Sequence, residues 1–158
     1  MSSRAEAIRR ILATHGADAI YVASTGFISR AVRAVALDRY HVFYMQGSMG
    51  MAPAIGLGIA LGTDAQVVVV NGDGALLMSM GTTHTLRDYG PPNLYHYVLD
   101  NGGHESVGGQ ACAHLETAYP GVTEVIPITR DGRPPRVDVE PAVNAAEIRS
   151  ILAARRGA

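Results

Sequence analysis

Asp73 stands between two glycines at the end of a β-branched run, in the stretch VVVVNGDGALLMSMG from Val67 to Gly81. A carboxylate so placed has two readings. It can close a tight turn or cap a helix, where aspartate is common, or it can be aimed at a ligand. The second reading needs a partner, and Asn101 offers one in LDNGGHESVGGQ, after the next strand-like run. In open α/β sheets ligands bind beyond the carboxyl ends of the strands. Three glycine-rich stretches fall at such ends: QGSMG, NGDG and DNGGHESVGG. Helices expected after the first two present free N–H groups and dipole ends that favour an anion. A carboxylate beside an anion is a conflict that a divalent cation resolves. Mg²⁺ takes oxygen ligands, often one or two carboxylates together with substrate phosphates. Asn101 could add an amide oxygen, and GGH at 102–104 a backbone carbonyl.

The elements that must position these groups follow from periodicity. Ala5, Ile8, Ile11 and Leu12 have helical spacing within 3–16, with Gly16 as a stop. AIYVAS at 19–24 reads as a strand, and 25–38 as a helix through Ile28, Val32 and Val35. YHVFYM at 40–45 is a second strand; MAPAIGLGIALG at 51–62 is an apolar helix rich in small residues. Its Gly56, Gly58 and Gly62 cost helix propensity, roughly 1 kcal/mol each relative to alanine, so close packing is expected there. QVVVV at 66–70 has the continuous apolarity of a buried parallel strand. A helix over 75–90 is broken by PPN, and LYHYVLD at 94–100 is a fourth strand. Beyond the glycine-rich loop a short helix is expected within 111–121, a fifth strand at 123–129, and a last helix at 144–156 capped by Asn144. Alternating strands and helices define an α/β fold, three layers deep and doubly wound around a mostly parallel sheet. His84, on a helix, and His96, in a strand, read as structural.

The composition of the 158 residues excludes several classes. An apolar fraction of 47% supports a full core in one domain. A net charge of −1 gives no basic face for nucleic acid. Cys112 is the one cysteine, so neither a disulfide nor a cysteine zinc site is expected. The charged start MSSRAEAIRR has no apolar signal core, and GMAPAIGLGIALG is too short for a membrane span. A cytoplasmic chain without membrane contact is expected.

The pair GDG at 72–74 and DNGG at 100–103 resembles the cofactor signature of thiamine diphosphate enzymes. Neighbouring parallel strands need a crossover, and such a βαβ unit takes roughly 30 residues, which accounts for the spacer. The resemblance implies that Asp73, Asn101 and the Gly103 carbonyl hold Mg²⁺, with Gly72, Gly74 and Ala75 beside the cofactor. GSMG at 47–50 resembles the stretch that grips the cofactor's aminopyrimidine, implying contacts from Gly47 and Ser48 and a wedge role for Met49. Ser24, Thr25 and Gly26 would lie near the diphosphate. His104, Glu105 and Ser106, next to the metal site, are the catalytic candidates. STGFISR, GSMGMAPAIGLGIALG, NGDGALLMSMG and LDNGGHESVGGQ are most similar, in order and spacing, to phosphonopyruvate and sulfopyruvate decarboxylases. HESVGGQ leans toward the phosphonopyruvate branch.

The resemblance covers one of the two domain types such enzymes use: residues 1–158 form a diphosphate-binding, PP-type domain, shortened after residue 110. It implies a partner subunit that carries the pyrimidine-binding domain and the catalytic glutamate, with at least two copies of each chain. The expected activity is that of the β-type subunit of a split decarboxylase, turning phosphonopyruvate into phosphonoacetaldehyde and CO₂. Sulfopyruvate decarboxylation, another thiamine-diphosphate carboligation or lyase reaction, or a non-catalytic module are the alternatives. Two departures stand out: Asp100 replaces a frequent first asparagine, and Met51 stands where a histidine is frequent. A phosphonate or sulfonate tail would call for a cation, for which Arg30 and Arg87 are candidates.

Overall fold

The computed structural model describes residues 1–156. In chain order the strands are β1 (Ser2–Ser3), β2 (Ile20–Ala23), β3 (His41–Tyr44), β4 (Val67–Gly72), β5 (Leu94–Asp100) and β6 (Glu124–Thr129). The helices are α1 (Arg4–His15), α2 (Phe27–Ala36), α3 (Ala52–Ala60), α4 (Asp73–Met78), α5 (Gly81–Tyr89) and α6 (Pro141–Arg156). One six-stranded sheet has the order β1-β6-β5-β4-β2-β3. Every pairing between these strands is parallel.

Strand side chains alternate between two cores, as a period of two requires. Tyr21, Ala23, Val68 and Val70 pack with α1 and α2, whereas Ile20, Val22, Val67 and Val69 pack with α3 and the end of α6. This makes the three layers. Val67 to Val70 are at most 1% exposed, and each such side chain contributes roughly 1.5–3 kcal/mol of burial. α3 lies close to β4 because Gly56 has no Cβ: one built there would run into Val69 Cγ2. Gly58 differs, since among the described residues nothing lies within 4 Å of its Cβ position and no packing reason for a glycine is found there.

Local signals fix most boundaries. Ser3 and Glu6 form a reciprocal capping box at α1. Ser29 Oγ reaches the carbonyls of Ala23, Ser24 and Met45 at 3.1, 2.9 and 2.8 Å, fastening the ends of β2 and β3 together.

Three expectations are corrected and one strand is added. The helix expected over 75–90 is two helices, α4 beginning at Asp73 itself and the chain leaving helical geometry at Ser79. No helix forms within 111–121; Leu115 is inserted there into a core with Leu76 and Val98 and Tyr119 packs against that core, while Ala111 and Ala113 remain exposed. Apart from a 3₁₀ turn at Glu105–Val107, the β5-to-β6 crossover is therefore irregular chain. Asn144 is not a cap but lies inside α6, where its Oδ1 accepts from Tyr44 N–H (2.9 Å) and its Nδ2 donates to Val42 O (2.8 Å). It occupies the open edge of β3, an otherwise unpaired row of backbone groups. β1, two polar residues, was not expected and pairs with Ile128 and Thr129.

His96 is structural in its setting: 1% exposed, its Nε2 faces the Asn71 amide at 3.3 Å. Asn71 Oδ1 accepts from Gly72 N–H, so its Nδ2 is the donor. Burial pushes the imidazole from 6.5 down to about 4. Between those values the unfolded chain binds a proton that the folded chain refuses. Stability is therefore complete above pH 6.5 and falls as pH drops toward 4, by up to about 3 kcal/mol. Urea unfolding at stepped pH should show this slope, and His96→Gln should flatten it.

Candidate active site

The chain runs β2 to β3 in one direction across the sheet, then returns past β2 to β4, β5 and β6. The strand order thus reverses between β2 and β4. Crevices at such switch points, outside the carboxyl ends of the strands, are where open α/β sheets bind ligands. A cavity of about 550 Å³ opens there. Lining it are the cofactor, metal and catalytic candidates read from the sequence: Ser24, Thr25 and Gly26 after β2; Gly47, Ser48 and Met49 after β3; Gly72, Asp73, Gly74 and Ala75 at the β4–α4 junction; Asn101, Gly103, His104, Glu105 and Ser106 after β5.

Special backbone geometry shapes the walls. Gly26 (φ 80°) and Gly47 (φ 154°) adopt conformations that favour glycine, and Ser48 takes a left-handed φ of 54°. Gly74 forms a floor where two side chains meet. A Cβ there would lie 2.5 Å from His104 Nδ1 and 3.1 Å from Met49 Cε. The loop after β5 folds back over the cavity, bringing Ser106 Oγ to within 2.6 Å of a Cβ built on Gly26. An antiparallel bridge between Gly103 and Ala111 and a bond from His104 N–H to Gln110 O (2.8 Å) close that loop.

The oxygen donors converge. Gly103 N–H is shared between Asp73 Oδ2 (2.9 Å) and Asn101 Oδ1 (3.0 Å), so both oxygens lie around one nitrogen. The Gly103 carbonyl accepts from Glu105 N–H and keeps a second lone pair. Asp73 is 4% exposed and forms no ion pair among the described residues. Burial raises its pKa, opposed by the Gly74 N–H and reinforced by Asp100. A buried carboxylate without a counter-charge, joined by amide and carbonyl oxygens, suits a hard cation such as Mg²⁺. Among the described residues no three His, Cys, Asp or Glu side chains gather as a metal site, so the donor set is distinguished by neutral oxygens. Cys112 lies beside Asp73; burial first, then that carboxylate, pushes its thiol up to about 11, leaving it protonated at neutral pH.

Ser24 Oγ gives a second test. It is buried on the cavity wall and has no hydrogen-bond partner among the described residues. Buried polar groups are normally paired, and a hydroxyl left open toward a cavity suits an oxygen-rich ligand such as a diphosphate.

Arg4 carries no motif signal, yet it lines the cavity and is 1% exposed. It pairs with Glu105 and, at 2.8 Å, with Asp131. Glu105 Oε2 also accepts from Asn101 Nδ2 at 2.9 Å, which orients the Asn101 amide. An arginine opening a helix reads as surface; nothing local announces that its partners lie more than a hundred residues away. Arg30 and Arg136 also line the cavity, whereas Arg87 is exposed and paired with its neighbour Asp88.

The family profile of "Thiamine pyrophosphate enzyme, C-terminal TPP binding domain" matches residues 22–156. The phosphonopyruvate decarboxylase of Streptomyces viridochromogenes is 45% identical over 120 residues, which are 76% of this chain and 30% of that protein. The sulfopyruvate decarboxylase subunit beta of Methanothermobacter thermautotrophicus is 42% identical over 116 residues, 73% of this chain and 61% of that one. Its counterpart in Methanocaldococcus jannaschii is 38% identical over 107 residues, 68% of this chain and 56% of that one. The chain thus spans less than two thirds of the length of these relatives. No helix among the described residues is long and apolar enough to cross a membrane. With a match that runs from β2 through α6, the chain belongs to the thiamine pyrophosphate enzymes, as their C-terminal TPP binding domain.

Proposed function

We propose that the chain is the diphosphate-binding half of a thiamine-diphosphate-dependent 2-oxo acid decarboxylase, acting on phosphonopyruvate to give phosphonoacetaldehyde and CO₂. One observation carries this reading: the motif residues from β2, β3, β4 and β5 meet around a single cavity at the switch point, with an uncompensated Asp73 and an open Ser24 hydroxyl on its wall. The names of the Streptomyces relatives support the substrate. Bound here, thiamine diphosphate supplies the electron sink that accepts the pair released as CO₂ leaves. Asp73, Asn101 Oδ1 and the Gly103 carbonyl would hold Mg²⁺. Ser24 Oγ would donate to a diphosphate oxygen, with Thr25, Gly26, Gly72, Gly74 and Ala75 alongside. Gly47, Ser48 and Met49 would face the rings. His104, over Gly74, would contact the diphosphate or move a proton, with Glu105 and Ser106 as the other catalytic candidates.

A partner subunit supplies the pyrimidine-side domain and its glutamate, in a hetero-oligomer with at least two copies of each chain. The reading includes a domain shortened after residue 110, and it is supported by irregular chain where a helix was expected within 111–121. The small, charged substrate fits a cytoplasmic enzyme. A second reading, the sulfopyruvate decarboxylase beta subunit, is favoured by the relatives that carry that name.

The test combines this chain with a pyrimidine-domain chain encoded by a neighbouring reading frame. CO₂ release from phosphonopyruvate should require both chains, thiamine diphosphate and Mg²⁺. Faster release from sulfopyruvate would favour the second reading. Cofactor binding without release from any 2-oxo acid would leave a non-catalytic module.

A further inference from the structure

Two guanidinium groups over Phe27 have opposite circumstances. Arg4 and Arg30 place their Cζ atoms 5.5 and 5.4 Å from that ring's centroid. Arg4 is neutralised by two carboxylates. Arg30 lies half-buried on the same cavity wall, and its guanidinium makes neither an ion pair nor a side-chain hydrogen bond among the described residues. Arg136, on the loop between β6 and α6, reaches the cavity as well and is likewise without a carboxylate partner among the described residues. Burial weakens the hold of Arg30 on its proton, and the like charges of Arg133 and Arg136 weaken it further. Placing unpaired arginines together beside a cavity is unfavourable until an anion joins them. The fork of N–H donors matches the oxygens of a tetrahedral oxyanion.

We propose that Arg30 and Arg136 form the subsite for the tetrahedral anionic tail of the substrate, a phosphonate or sulfonate. This assignment rests on the decarboxylase reading above and gives the cavity two separate anion-binding walls. At the Asp73 wall a metal must mediate, because a carboxylate repels an anion. At the Arg30 wall no mediator is needed. Arg87, the other cation considered from sequence, is outside the cavity and already paired.

The first arm uses the full chain alone. Methylphosphonate is titrated while the side-chain Nε–Hε resonances of the arginines are followed by NMR. Arg30 and Arg136 should move together, and Arg30→Gln or Arg136→Gln should weaken binding about tenfold or more. Arg136 is exposed, so its variant folds even if the Arg30 variant does not. The second arm uses the reconstituted two-chain enzyme. Either variant should lower the ratio of kcat/KM for phosphonopyruvate to that for pyruvate, which lacks the tail, by about tenfold or more. An unchanged ratio overturns the subsite while leaving the decarboxylase reading intact. Weakened thiamine diphosphate binding with methylphosphonate binding retained also overturns it, by assigning the arginines to the cofactor. Arginine-dependent methylphosphonate binding in a complex that decarboxylates nothing supports the anion subsite and removes the decarboxylase reading.

Discussion

Asp73→Asn should weaken Mg²⁺-dependent thiamine diphosphate binding by at least about a hundredfold, since even residues behind a metal ligand are worth ten- to a hundredfold. The same substitution should leave the apo protein as stable as before, or more stable. The two effects have one cause. Asp73 is 4% exposed and without a cation, and burial raises its pKa. A neutral amide of the same shape removes that cost, and Gly103 N–H retains Asn101 Oδ1 as acceptor. Stability surrendered for function is a recurring feature of binding sites. Calorimetric titration of cofactor with Mg²⁺, alongside thermal unfolding without either, checks both halves. Unchanged metal dependence would remove Asp73 from the site; a large loss of apo stability would make it a structural aspartate.

Arg4→Met should cost about 3–5 kcal/mol, the expected range for stranding the partners of a buried charge. For a domain of this size that lowers Tm on the order of 10 °C. The guanidinium, 1% exposed, joins Glu105, Asp131 and the Gly132 carbonyl. Removing it leaves two carboxylates facing one another with side chains only 16% and 26% exposed. Adding Glu105→Gln and Asp131→Asn should restore much of the loss, because the stranded charges rather than the missing contact dominate it. The single variant should also loosen Asn101, whose amide is oriented by Glu105, and so weaken Mg²⁺ binding. Thermal unfolding of the single and triple variants separates charge from packing. Equal losses in both would assign the effect to packing alone.

The contrast between these two residues shows what a sequence displays. Asp73 announces itself because glycines flank it and an apolar strand leads into it; all of that signal is local. The same holds for β4, whose valines are buried on both faces, and for Gly47–Met49, confined to one turn. Arg4 is invisible because its meaning comes from Glu105 and Asp131, brought near only by the pairing of β1 with β6. β1 itself consists of two serines with no strand propensity and exists because β6 offers an open edge. Asn144 has the residue type of a cap, but tertiary demand from the β3 edge overrides that preference. Within 111–121 only Leu115 and Tyr119 reach a core, too short a stripe to hold a helical face. Arg30 and Arg87 look alike in sequence; only the fold shows which one faces the cavity.

The pairing of Ser2 and Ser3 with Ile128 and Thr129 has a practical side. Whatever is joined ahead of Met1, whether an affinity handle, a fluorophore or an upstream polypeptide, enters the sheet margin immediately before the guanidinium that clasps the cavity's loop. Such an appendage is not a bystander: strain or bulk there would be transmitted to Asn101 through one ion pair and one amide.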